Sequence, residues 1–91
     1  MATLFTFILE YDGGTYISQY RGRTAREALR RWTKSERTAL SGQWAPKLVE
    51  ELFKQIGNEV PAVLQEVVHT WCVSTLAARK LVLLNIVRTA E

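Results

Sequence analysis

Glu66, His69 and Cys72 recur at every third position, and a thiol beside an imidazole is an activated nucleophile with its base. On a helix these residues would share a face, whereas on a strand His69 and Cys72 point to opposite sides. The surrounding run HTWCVSTL has strand composition, which separates the pair and makes Cys72 a buried structural thiol. Cys72 is also the single cysteine and His69 the single histidine, so no internal disulfide and no cysteine-based or histidine-based metal cluster is expected. Asp12-Gly13-Gly14 has the composition of a phosphate-cradling loop, but no helix follows it, so it is read as a turn. The expectation is a protein that is not an enzyme, holds no cofactor and offers no inferred small-molecule site.

Charge offers a second chemistry. The stretch YRGRTAREALRRW holds five arginines in thirteen residues, and residues 21–37 carry seven basic groups against two acidic ones. Residues 45–91 carry five of each sign, so the net +3 comes from one segment. Arg26, Arg30, Lys34 and Arg37 fall on one helical face at the spacing that phosphate contact needs. Such a stripe serves as a solvated helix face, a nucleic-acid surface or a seat for an acidic protein. If all four met phosphates, the binding constant would fall with a log-log salt slope of about −3.6.

The elements that must position these groups are legible in outline. TLFTFILEY and TYISQY flank Asp12-Gly13, the chemistry of a two-residue hairpin turn. That turn pairs Leu9 with Tyr16 and Phe5 with Tyr20. It gathers Phe5, Phe7, Leu9, Tyr11, Tyr16 and Tyr20 on one face, with Thr6, Glu10, Thr15 and Gln19 on the other. Thr24 to Glu27 is a capping box that starts a helix from about Ala25 to Leu40, stopping at Ser41-Gly42. Ala25, Ala28, Leu29, Trp32, Ala39 and Leu40 form its apolar stripe, into which Glu36 projects, requiring either a fray or bend near Ser35 or a cationic partner at the margin. Pro46 opens a second helix with Leu48, Val49, Leu52, Phe53 and Ile56 inward, closed by Gly57, and Trp44 is placed to staple onto Val49. Its outer face, Lys47, Glu50, Glu51 and Lys54, is a solvated charge pattern.

Residues 58–67 read as a loop or short helical turn. A strand follows over about residues 68–76, a turn at Ala77-Ala78-Arg79-Lys80, and a last strand from Leu81 to Arg88. The order ββααββ gives a single α+β domain over residues 1–91, an antiparallel four-stranded sheet with two helices packed on one face. The last strand is apolar on both sides: Val82, Leu84 and Ile86 on one, and Leu81, Leu83 and Val87 on the other, the second interrupted by Asn85. Two helices cover one face, which leaves the second to a partner, a second copy or water, unless this strand is central beneath residues whose place the pattern does not give. Leu81, Leu83 and Val87 therefore join the basic stripe as candidate binding residues, with a protein partner or homo-oligomer expected and nucleic acid as the alternative.

The opening MATLFTFILEYDGG has no basic n-region, and LVLLNIV is far short of a membrane span. With one cysteine, a reducing, cytoplasmic setting is expected.

The segment EYDGGTYISQYRGRTAREAL resembles the opening of HicB-type antitoxins, where a strand, a D-G-G-Y-like hairpin and a second strand lead to a Thr-x-x-Glu-Ala-Leu helix start. The matching positions are Asp12, Gly13, Gly14, Tyr16, Gly22, Thr24, Glu27, Ala28 and Leu29. The resemblance covers the first third of the chain. It lacks the proline-rich segment and third strand usual before that helix, and residues 41–91 match nothing in that family. It implies a protein that binds and blocks a small RNA-cleaving toxin, in many cases beside a separate DNA-binding segment.

Overall fold

In the computed structural model, the described residues are 2–58, 62–63 and 69–90. Strands β1 (Thr3–Tyr11) and β2 (Gly14–Gly22) are followed by helices α1 (Ala25–Ala39) and α2 (Pro46–Gly57), then by β3 (Ala62–Val63), β4 (Thr70–Ala77) and β5 (Lys80–Arg88). The four long strands form the expected antiparallel sheet, and the two-residue β3 adds to the β4 edge, giving the order β2-β1-β5-β4-β3. Ala62 pairs with Cys72 and Val63 with Trp71, so part of the segment read as loop or helical turn is extended; its remainder, and Glu66, lie outside the described residues.

The first hairpin has the expected register, with Leu9 opposite Tyr16 and Phe5 opposite Tyr20. Asp12 and Gly13 both have positive φ, 50° and 80°, the type I′ geometry whose twist suits a two-residue hairpin. The second hairpin turns the same way through Ala78 (φ 49°) and Arg79 (φ 64°), and there the Cβ atoms crowd the following carbonyls. Replacing Ala78 with Asn and Arg79 with Gly is therefore expected to stabilise the domain by about 1–2 kcal/mol, read as a higher urea midpoint at unchanged slope.

Strand parity sets the layers. Phe5, Phe7, Leu9 and Tyr11 of β1 face the helices with Val82, Leu84 and Ile86 of β5 and Val73 of β4, all buried. Ala25, Ala28, Leu29 and Trp32 of α1, and Val49, Leu52, Phe53 and Ile56 of α2, close over them. Trp32 sits at the centre. Its indole stacks on Phe7 at 5.7 Å and lies 5.1 Å from Phe53, while its Nε1 donates to the Ser18 hydroxyl at 3.1 Å. The buried indole N–H is thereby satisfied. Ala39 is exposed, contrary to its place in the expected stripe. The helix ends there, with Leu40 capping it by donating to the Glu36 carbonyl at 2.8 Å. Trp44 places its ring edge-on to Tyr11 and Tyr16, at 5.6 and 5.1 Å, closing the hairpin-turn end of the core.

Glu36 is 8% exposed, and the partner that answers its conflict is a neutral phenol, not a cation. The Tyr20 hydroxyl reaches across from β2 and donates to Glu36 Oε1 at 2.8 Å. Burial, then this hydrogen bond to a carboxylate, raises the Tyr20 hydroxyl from its ordinary 10.0 to about 12. A folded value above the unfolded one means that the protonated phenol stabilises the domain fully below pH 10 and loses that contribution as pH rises towards 12. Denaturant midpoints should fall across this window, and Tyr20→Phe should flatten that part of the profile while lowering stability at neutral pH.

Candidate functional site

The side of the sheet away from the helices is built by the alternate residues of the same strands. Pairing aligns Gln19, Thr6, Val87 and Thr70 in one row across the sheet. Ile17, Ile8, Asn85 and Cys72 form the next row, followed by Thr15, Glu10, Leu83 and Ser74. Leu81 and Leu76 pair beyond them, and Leu4 with Arg21 lies at the other end. Leu81, Leu83 and Val87 thus fall together on one face, as β5 parity requires. Ile17, Leu76 and Leu81 are 68%, 60% and 55% exposed, and all three belong to this face.

Leu4, Ile8 and Ile17 were missed as members of this surface, although their parity matches that of Thr6 and Thr15. The polar residues drew attention to this face of the hairpin and hid the apolar ones between them. The polar members are tied to one another: Gln19 Nε2 donates to the Thr6 hydroxyl at 3.1 Å, and Thr6 and Thr89 share a hydroxyl hydrogen bond at 2.5 Å. Near the corner of the sheet, Lys80 bridges to Asp12 at 2.6 Å, a contact that raises the Lys80 ammonium above its ordinary value.

Arg26, Arg30, Lys34 and Arg37 all lie exposed on α1, on the opposite side of the molecule. They border one groove of about 540 Å³ with Leu29, Thr33 and the end of α2 at Gly57 and Asn58. Arg37 also approaches Glu50 of α2 at 3.9 Å, an exposed pair of little energetic weight. The two sets of candidate residues are therefore on different faces and form two surfaces, not one.

Cys72 is half-buried on the open face opposite Asn85. His69, just before β4, lines a cavity on the helix side with Phe5 and Trp71. β4 begins at Thr70, so His69, expected within the strand, lies just outside it at φ 61°, and Cys72 is not among the described residues that line its cavity. Among the described residues no group of three or more His, Cys, Asp or Glu side chains is arranged to hold a metal ion, and no helix is long and apolar enough to cross a membrane. No family model matches the chain, nor does any curated protein or solved structure.

Proposed function

We propose that this is a small non-catalytic protein that works by protein–protein binding through its open sheet face, with a second copy of the chain as the occupant. The observation that carries this is that Ile17, Leu76 and Leu81, the exposed large apolar side chains among the described residues, all lie on one face of the sheet. Four strands spaced about 4.8 Å apart and some 27 Å long give a footprint of roughly 500 Å² in plan. Side-chain relief brings that close to the roughly 800 Å² per partner of a standard interface. Sheets stack face to face about 10 Å apart with their inner side chains interdigitated.

A copy of the same face suits it electrostatically. Among the described residues the strand positions of this face carry one acid, Glu10, and one base, Arg21, so two copies meet without net repulsion. The basic excess stays on the helix side, away from the contact. Capture of a toxin, as the HicB-like opening implies, would be the hetero-partner version of the same surface.

Sedimentation equilibrium over a range of concentrations tests the reading, with a dimer expected at micromolar protein. A strict monomer at several hundred micromolar would exclude the second copy. Nucleic-acid binding along the α1 groove is the second reading, favoured by the shared groove that Arg26, Arg30, Lys34 and Arg37 line. It requires that Arg30→Glu with Lys34→Glu abolish binding of an oligonucleotide at low salt while leaving the dimer intact.

A further inference from the structure

Four separate parts of the chain meet where α1 begins. The β2-to-α1 junction brings Arg23 and Arg26, β1 brings Phe5, the start of β4 brings Trp71 with His69 just ahead of it, and β5 ends in Arg88. Phe5 pairs with Arg88 across the sheet, and the Arg88 amide donates to the His69 carbonyl at 2.9 Å. These residues surround a cavity of about 400 Å³, within the range of about 300–1,000 Å³ typical of small-molecule sites. We propose that it binds a nucleotide, with the phosphate held by Arg23, Arg26 and Arg88 and the base laid against Trp71.

The charge of the site is one-sided. Three arginines and a histidine line it with no acidic residue among the described lining. None of the three arginines has a carboxylate ion-pair partner among the described residues. Cations around a cleft with low-dielectric walls focus the field on what enters it. The walls here include buried Phe5 and Ala25 and half-buried Trp71.

The backbone adds donors at the same place. The Thr24 side chain takes the Glu27 amide at 3.1 Å, and the Ala28 amide goes to the Thr24 carbonyl at 3.0 Å. The amides of Ala25 and Arg26, ahead of them, are the first-turn donors that anions seek at a helix start. His69 is held at φ 61°, a left-handed conformation that non-glycine residues adopt more often at ligand-binding and active sites than elsewhere. A bare anion would leave the aromatic wall unused. Trp71 lines the cavity and is held edge-on to Phe5 at 5.6 Å, and an indole is a ring on which a planar base can stack.

This cavity lies on the helix side of the sheet, so its occupancy and the proposed dimer succeed or fail separately. The test is calorimetric titration at low salt with uridine monophosphate, uridine and inorganic phosphate as three separate probes. The monophosphate is expected to bind at least about tenfold more tightly than either part alone. Arg23→Gln with Arg88→Gln, both at exposed positions, is expected to weaken it by about tenfold or more at an unchanged melting temperature, and Arg30→Gln with Lys34→Gln to leave it unchanged. No heat with millimolar monophosphate would overturn the assignment, as would phosphate binding as tightly as the nucleotide, or full affinity in the Arg23/Arg88 variant.

Discussion

A chain carrying Ile17→Glu and Leu81→Glu is expected to sediment as a monomer at concentrations where the parent chain is a dimer. Both side chains are more than half exposed in the single chain, so each change should alter its folding stability by no more than about 1 kcal/mol. In a two-fold dimer each substitution appears twice, and each carboxylate would be taken out of water opposite apolar side chains. A buried charge without a partner costs several kcal/mol, so the dissociation constant should rise at least about a hundredfold. Thermal unfolding of the double variant separates the two effects: a fold close to that of the parent with the dimer lost is the expected pair of results. A double variant that dimerises as tightly as the parent would remove the open face from the interface.

Replacing Gly22 with alanine is expected to destabilise the domain by about 3 kcal/mol, at the upper end of overpacking costs. Gly22 is buried at the end of β2, directly beneath the first turns of α1. A Cβ there would lie 2.6 Å from the Ala28 amide nitrogen and 3.0 Å from the Ala28 Cα. Those are backbone atoms of a helix, which cannot swing aside as a side chain can. Relief requires the start of α1 to lift from the sheet, drawing Trp32 away from Phe7 and Phe53 and displacing Arg23 and Arg26. Ala28→Gly should not rescue the variant, since it removes only the third contact, to the Ala28 Cβ at 3.1 Å. Gly42→Ala is the control, because a Cβ at that position meets nothing within 4 Å. Urea unfolding of the three variants reads the difference, and a loss below about 1 kcal/mol for Gly22→Ala would show that the junction yields.

Local chemistry made much of this architecture readable. Asp12-Gly13, the Thr24 and Glu27 pair and Pro46 each act over a few residues, so their roles in the first hairpin and the two helices could be read directly. The docking of β1 against β5 could not, because nothing near Phe7 or Ile86 in the chain names its distant neighbour. Glu36 illustrates the same boundary: its misfit in the stripe was plain, but Tyr20 became its partner only through strand register and helix placement together. Ala78 and Arg79 marked a turn without revealing its left-handed backbone, since neither residue type favours it. Of the candidate surfaces, the α1 stripe followed from helical spacing and the Leu81, Leu83 and Val87 group from strand parity. The Arg23, His69 and Arg88 cavity had no sequence pattern, being assembled from parts that meet only in three dimensions.

The placement of β1 beside β5 also dictates an order of assembly. The two hairpins close locally, whereas this seam joins Tyr11 to Val82 and Phe5 to Arg88, contacts whose loop entropy must be overcome before any pairing rewards it. During synthesis β1 and β2 leave the ribosome before β5, so the inner edge of β1 has no strand beside it until residues 82–88 follow. Until then, Phe7 and Leu9 belong to a sheet whose middle is missing. The nascent chain is adhesive in that interval, and the arrival of β5 ends the exposure.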